Sequence, residues 1–443
     1  MCARQYGRPC PIAASQDRSV GPPPVSAAME PPTTGRPSER IAVNSGKFLE
    51  LEGLRGLASA MVVAWHFVWA FAPSTLGSVA GSPGQGLVGS PIAAGIDGPA
   101  AVVLFFVLSG FVIPLRFFRS GRARTVVHAA AKRWPRLAGL SVLAVLFSYV
   151  LFRLGLFHYR EAAVLTGSDW LGEYGGGDPG GTLSVSLAGA IREGLVGAFV
   201  DKSDSYDPVL WTMRHELLGS FLSMGLALAI RRASAMASGG IVVFVALLAG
   251  TADPWLVPFV AGTGLALLVW NRRMTLGWRS TAASIGVGLF LFGYLEPAGA
   301  YSGMPVIQDG AGYRYDRILV HTLAGVLVMF GIIANHGAGR VLNVRPLLFL
   351  GRLSFPIYLF HFPLLCSFGC GLFLALHEVT SYGGSMIIVA IIYSAAVLMT
   401  GVLLTRVDEV WGTWLNRMTD SLVMPDTRIA PRSLRSDSST LRQ

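Results

Sequence analysis

The chain contains ten runs of mostly apolar residues, each close to the length of a membrane span. A helix needs about 20 such residues to cross the hydrocarbon core of a bilayer. Of the 443 residues 52% are hydrophobic and only 14% are charged, whereas a soluble domain is about one quarter charged. The sequence therefore predicts an all-α integral membrane protein with about ten transmembrane helices. The predicted runs are 48–72, 98–117, 137–157, 209–230, 239–252, 254–271, 279–295, 317–335, 350–376 and 383–405.

The fifth run is short. The turn at Asp253 and Pro254 leaves open that the fifth and sixth runs form one re-entrant pair.

Basic residues are concentrated in alternate connections between the runs. If the N-terminus is cytoplasmic, the inside segments hold 26 of the 35 Lys and Arg and the outside loops hold five. This bias is typical of cytoplasmic loops, so both termini are predicted to be cytoplasmic. The net charge of +10 then reflects topology and contact with the lipid bilayer. No nucleic-acid partner is expected, because the basic residues are spread over six short segments.

The predicted membrane domain, 48–405, lies between two polar segments. Residues 1–47 contain eight prolines and little apolar sequence, which predicts a disordered cytoplasmic segment. It has no apolar core of a signal peptide, so none is expected to be cleaved, and whether Met1 or Met29 is the true start stays open. Residues 406–443 are predicted to be a mostly disordered cytoplasmic tail.

The long predicted outside loop, about 158–208, has apolar residues at four-residue spacing from Leu187 to Phe199. This pattern indicates an interfacial or re-entrant helix, or a lid over a cavity. A plain solvated loop is an equally good interpretation.

Two ionisable residues, Arg55 and His66, lie in the first run. Ionisable groups in hydrocarbon cost several kcal/mol, so their retention favours a function. Arg55 is close enough to the inner boundary to extend towards lipid phosphate. At 1.5 Å per residue, His66 lies about 9 Å and Glu216 about 12 Å from the predicted outer boundary. A general base with its orienting carboxylate would have this arrangement, and so would a structural hydrogen bond between helices.

Arg133 and Arg136, in the sequence RWPR, lie at a predicted helix mouth. Arginine pairs bind phosphate groups well, although the positive-inside bias explains most basic residues of this segment. The remaining candidates for substrate or structural roles lie within or at the ends of the predicted spans, and no metal site is predicted. These candidates are Asp97, which is also a possible N-cap, Ser109, Trp211, Tyr358 and His361.

Five segments together resemble the membrane acyltransferase 3 family, over about residues 48–405. The segments are LEGLRGLASAMVVAWH (51–66), IDGPAAVVLFFVLSGFVIP (96–114), RWPR (133–136), LWTMRHELLGS (210–220) and LGRLSFPIYLFHFPLL (350–365). Their order matches that of the family. The second segment has an inserted Gly-Pro-Ala-Ala, which loosens the assignment of Asp97, and the usual Trp-Ser-Leu before the glutamate is Trp-Thr-Met here.

The resemblance implies an acyl-CoA-dependent O-acyltransferase that modifies a hydroxyl of a carbohydrate or other cell-surface or lipid-linked acceptor, with acetyl as the expected acyl group. It implies His66 as the catalytic base and Arg55 as its companion. Arg133 and Arg136 match the pair that handles CoA, and Glu216 matches the glutamate of the tryptophan-led motif. Asp97, Ser109 and His361 match motif positions of less settled role. The stand-alone form is expected, without the hydrolase-like domain that is fused to some relatives.

Acyl-CoA would act as co-substrate, and no permanently bound cofactor is expected. If the source is bacterial, the expected location is the inner membrane. Buried ionisable residues on kinked helices also suit a proton-coupled transporter, and an inactive assembly subunit is a third possibility. The acceptor, the acyl chain, direct or relayed transfer and the oligomeric state stay open.

Overall fold

The computed structural model describes residues 48–76, 87–178, 181–271, 275–308 and 314–423. The predicted disordered segment 1–47 lies outside this part of the chain. Within it, ten helices of 15 or more residues overlap the ten predicted apolar runs. They are α1 (Leu49–Phe71), α2 (Gly98–Ser120), α3 (Ala123–Leu154), α4 (Trp211–Ile230), α5 (Ala235–Ala252), α6 (Val257–Asn271), α7 (Trp278–Phe292), α8 (Tyr315–Ala334), α9 (Arg345–Leu364) and α10 (Tyr382–Val423). A π-helical turn, Leu365–Gly369, extends α9 into a further helix, Cys370–His377.

Eight of these helical segments are long and apolar enough to cross a membrane, which confirms an all-α, multi-pass membrane fold. The other two are α4, where Arg214, His215 and Glu216 lower the hydropathy, and α7, which has only 15 residues. Both α5 and the segment Pro254–Asn271 qualify separately as spans. Their lengths favour two helices over one re-entrant pair.

The ends of α2 show how the sequence sets the helix boundaries. Asp97 is the N-cap of α2, and its Oδ1 accepts a hydrogen bond of 2.8 Å from the backbone N–H of Ala100. At the other end, Gly121 adopts φ +64° in the left-handed region, which glycine tolerates without strain. The N-cap interpretation of Asp97 is therefore confirmed.

Helices α1 and α9 are in backbone contact through glycines. A Cβ atom at Gly56 would lie 2.4 Å from the carbonyl oxygen of Leu347, and one at Gly351 would lie 2.1 Å from that of Glu52. Small residues allow membrane helices to approach this closely. The contact fixes the spacing of the two helices that carry His66 and His361.

Residues 406–443 were predicted to be a mostly disordered tail. The first part of this segment is instead helical, since α10 continues to Val423. Polar contacts with α3 anchor this extension: Asp408 accepts hydrogen bonds from the guanidinium of Arg136, and Trp411 donates one of 2.9 Å to the carbonyl of Pro135. A search for apolar runs cannot detect a helix that is held by polar contacts. Residues 424–443 lie outside the described part.

The loop between α3 and α4 contains short helices that cover one end of the bundle. The pattern from Leu187 onward forms a helix as predicted, and Ser168 ties the loop to α1 through a 2.8 Å hydrogen bond to the carbonyl of Trp69. Its helical turns are Tyr159–Thr166, Asp169–Gly172, Tyr174–Gly176, Leu187–Arg192, Glu193–Gly197, Ala198–Val200 and Pro208–Leu210. The remaining short turns of the described chain are Pro73–Leu76, Pro91–Gly95, Pro254–Leu256, Gly299–Tyr301 and His336–Leu342.

Candidate active site

His66 on α1 and His361 on α9 form a direct hydrogen bond. Nδ1 of His66 lies 2.8 Å from Nε2 of His361. Nδ1 of His361 lies 2.7 Å from the carbonyl oxygen of Tyr358, and a carbonyl oxygen only accepts. Neutral His361 therefore carries its proton on Nδ1, and its Nε2 accepts from Nδ1–H of His66. This chain leaves Nε2 of His66 with a free lone pair, as a general base requires.

Aromatic rings hold the imidazole of His66 in place. Trp170 stacks on it with ring centroids 5.4 Å apart and an angle of 8° between the planes. Trp69 of α1 stacks in turn on Trp170, with ring centroids 4.9 Å apart. Trp170 belongs to the loop between α3 and α4, so this loop closes one side of the site.

His66 lines a cavity of about 460 Å³. It is called the outer cavity, and the one lined by Glu216 the inner cavity, after the topology predicted from the sequence. Its lining combines aromatic surface with a few polar groups. Five tryptophans contribute to it, Trp65, Trp69, Trp170, Trp211 and Trp255, together with Arg314, Arg317 and His321.

Glu216 does not contact His66, contrary to the expectation from their depths. Its Oε1 accepts a 2.6 Å hydrogen bond from Ser109 on α2 and is paired with the guanidinium of Arg133 on α3. Arg133 also donates to Oγ of Ser220 at 2.7 Å. The depth count failed because it fixes height along a helix and not the direction that a side chain faces. In addition, α3 begins before the predicted run, so Arg133 lies within the helix.

Glu216 lines a second cavity, of about 510 Å³, the inner cavity. Its lining is strongly charged. The arginines are Arg55, Arg116, Arg133, Arg136 and Arg352, and the carboxylates are Glu52, Glu216, Asp408 and Glu409.

The arginines of the inner cavity differ in how closely they are paired with carboxylates. Arg133 is paired with Glu216 and Arg136 with Asp408. Arg55 is only loosely paired, 3.8 Å from Glu52. Arg116 and Arg352 are exposed and form no salt bridge with any residue that the structure describes.

Tyr358 lines both cavities. Its hydroxyl lies 3.0 Å from Oγ1 of Thr212 and donates a 3.1 Å hydrogen bond to the carbonyl of Val209. Thr212 borders the inner cavity and Val209 the outer one. The contact between α9 and the start of α4 therefore lies between two cavities that share two described lining residues, Tyr358 and Val102.

The other predicted candidates are divided between the two cavities and their surroundings. Ser109 borders the inner cavity and Trp211 the outer one, where it packs edge-to-face against Trp255 at 4.6 Å. Asp97 is buried, and its Oδ2 lies 3.6 Å from Nε2 of His321.

Sequence reasoning missed His321, Arg317 and Trp170. An intramembrane histidine in the eighth run is itself a signal that would have flagged His321. Trp170 lies in a loop and carries no such signal.

A family profile described as an acyltransferase domain, that of the acyltransferase 3 family, matches residues 48–406. No curated protein and no solved structure matches the chain. The profile covers most of the chain, which confirms the resemblance drawn from the five segments. The chain therefore belongs to the acyltransferase 3 family and is a multi-pass membrane acyltransferase of groups other than amino-acyl groups.

Proposed function

We propose that the protein transfers an acyl group, acetyl in the simplest case, from acyl-CoA in the inner cavity to a hydroxyl of a carbohydrate or other cell-surface or lipid-linked acceptor in the outer cavity. The observation that carries this proposal is the hydrogen-bond chain from Tyr358 through His361 to His66, which leaves a basic nitrogen at the outer cavity. Family membership supports the reaction class.

The donor is assigned to the inner cavity because CoA carries several phosphates. Guanidinium groups bind phosphate oxygens in pairs. Arg116 and Arg352 are exposed and Arg55 is weakly engaged, so these three are the best placed to bind phosphate. Arg133 and Arg136, expected from the family motif, each hold a carboxylate and would shape the cavity or exchange partners when CoA binds.

The reaction needs one base, which His66 supplies from the outer cavity. Nε2 of His66 takes the hydroxyl proton of the acceptor, and the oxygen attacks the thioester carbonyl. The carbon–sulfur bond breaks, and His66 returns the proton to the CoA thiolate. While His66 is protonated, its Nδ1–H donates to His361, which stabilises the cation. His361 is thus a positioning residue, and Glu216 acts on the donor side rather than as the partner of His66.

In this proposal the acyl group passes from one cavity to the other beside Tyr358, because the side chain of Tyr358 borders both cavities. In direct transfer, the thioester reaches past Tyr358 to His66. In a relay, the acyl group is first carried by a group on the enzyme. Both routes require the Tyr358–Thr212 contact to open or to leave a gap.

The proposal is tested with membranes that contain the full chain and acetyl-CoA labelled in the acetyl group. Label is expected in material from which hydroxylamine releases it, as it does from esters. His66→Ala should reduce this labelling by about 10²- to 10⁴-fold, the contribution of a general base. His336→Ala is the matched control, since His336 is an exposed histidine outside both cavities.

Equal labelling by wild type and His66→Ala would refute the assignment of the base. Absence of any ester labelling by the wild type, with acetyl, propionyl and longer acyl-CoA donors, would instead favour the transporter or the inactive assembly subunit.

A further inference from the structure

The described lining of the outer cavity carries cations and no acids. Among those residues, Arg314 and Arg317 are the only Lys, Arg, Asp or Glu. A cavity whose lining carries cations and no acids attracts anions.

Arg314 is not free to bind a ligand. Its guanidinium is engaged by both carboxylate oxygens of Asp316, and it donates a further 3.0 Å hydrogen bond to the hydroxyl of Tyr294. This cation serves the local structure at the start of α8.

Arg317, one position after Asp316, is engaged weakly. Nη2 donates a 3.1 Å hydrogen bond to Glu296, whose side chain is 54% exposed. Exposed ion pairs of this kind contribute little stability. Nε of Arg317 is buried and has no hydrogen-bond partner among the described residues. The guanidinium is therefore able to bind an anion in the cavity without the loss of a strong contact.

One turn further along α8, His321 adds a hydrogen-bond acceptor. Its Nε2 lies 3.0 Å from the carbonyl of Tyr294, which only accepts, so the neutral ring carries its proton on Nε2. Nδ1 is then an acceptor, and it has no partner within the described part of the chain. Since buried polar groups are nearly always paired, this atom fits a ligand hydroxyl.

The tryptophans complete the site. Large flat aromatic surfaces with a few polar groups at fixed positions are typical of small-molecule cavities, and indole rings pack well against the C–H face of a sugar ring. Five indoles surround the outer cavity. The same chamber therefore offers stacking surfaces, a hydroxyl-binding nitrogen and an available cation.

We infer that the outer cavity binds a glycosyl unit that carries a carboxylate or a phosphate, and that Arg317 binds this anionic group while His66 faces the hydroxyl to be acylated. The identification of the cavity as the acceptor site rests on the proposed function. Its preference for an anionic sugar rests on the charges and free polar atoms of the lining.

The experiment measures binding of three probes to the full chain in nanodiscs at constant ionic strength, through quenching of tryptophan fluorescence. The probes are methyl β-D-glucuronide, glucose 6-phosphate and the neutral methyl β-D-glucoside. At least one anionic probe should bind about tenfold more tightly than the glucoside, the effect of one charge-assisted contact. The anionic probe that binds more tightly identifies a uronic acid or a sugar phosphate as the acceptor type.

Three variants test the assignment to Arg317. Arg317→Gln should abolish the difference between anionic and neutral probes, and Glu296→Gln should increase it by removing the competing carboxylate. Arg192→Gln is the matched control and should leave the difference unchanged, because Arg192 pairs with Asp201 on the exposed loop surface. Melting curves of each variant verify folding.

Equal binding of the neutral and anionic probes by the wild type would overturn the inference, as would an unchanged preference in folded Arg317→Gln. Failure of the proposed function is a separate result. His66→Ala should lose acyl transfer and keep the preference for the anionic probe, since His66 does not bind the charged group.

Discussion

Replacement of Gly351 by alanine should separate the two helices that carry the histidine pair. The added Cβ would lie 2.1 Å from the carbonyl oxygen and 2.8 Å from the carbonyl carbon of Glu52. Both are backbone atoms, so no side-chain rotation relieves the clash. Since non-bonded heavy atoms rest about 3.5 Å apart, α1 and α9 must move apart by roughly 1 Å.

This displacement is large compared with the hydrogen bond that it affects. His66 and His361 are 2.8 Å apart, and an increase of roughly 1 Å would exceed the range of a hydrogen bond. A misplacement of this size reduces catalysis by about 10²-fold, and the overpacked interface should cost roughly 1–3 kcal/mol of stability. Ester labelling from acetyl-CoA and the melting temperature measure the two effects on the same preparation.

Gly286→Ala on α7 is the matched control, because a Cβ there has no atom within 4 Å. It should retain both activity and melting temperature. Gly56→Ala, with its Cβ 2.4 Å from the carbonyl oxygen of Leu347, should behave like Gly351→Ala. If Gly351→Ala is as stable and as active as the control, the helix contact does not set the geometry of the histidines, and the reasoning is refuted.

Three further predictions concern the Tyr358–Thr212 contact between the two cavities, the extension of α10, and Asp204 in the loop between α3 and α4. Tyr358→Phe removes the hydroxyl that bonds Thr212 and should raise the rate of CoA release in the absence of acceptor, measured as free thiol. An unchanged rate would show that this contact does not separate the two cavities. Arg136→Asp leaves Asp408 without its cation and should speed hydrogen exchange of the turns of α10 around Asp408, with recovery in the double variant that adds Asp408→Arg; no recovery would argue against the pair as the anchor. Burial raises the pKa of Asp204 to about 6, so the folded state binds the proton more tightly and the melting temperature should fall as the pH rises from about 4 to about 6. Asp204→Asn should show a smaller fall, and an equal fall would assign the effect to other groups.

The apolar runs were sufficient to predict the membrane helices, because the thickness of the bilayer imposes the length of a span. The end of α10 could not be predicted from apolar runs. The extension after residue 405 mixes polar and apolar residues, and contacts such as Arg136–Asp408 and His128–Asp420 stabilise it, which hydropathy does not register.

The sequence named the residues of the candidate site but did not predict how they pair. His66, Glu216 and His361 were all named from the sequence, yet His66 pairs with His361 and Glu216 with Arg133. Residue counting gives depth, whereas the partner of a side chain depends on helix rotation and on which helices are neighbours. Trp170, which stacks on His66, lies in the loop between α3 and α4. The path of this loop cannot be predicted from the spacing of apolar residues.

In the proposed function, acyl groups pass from a donor cavity on one side of the membrane to an acceptor cavity on the other, with His66 as the base. Sealed membrane vesicles of the two orientations test it directly, because acetyl-CoA does not cross a bilayer. With label added outside, inside-out vesicles should form labelled ester, while right-side-out vesicles and inside-out vesicles of His66→Ala should not. Labelling of right-side-out vesicles, or undiminished labelling by His66→Ala, would contradict the account.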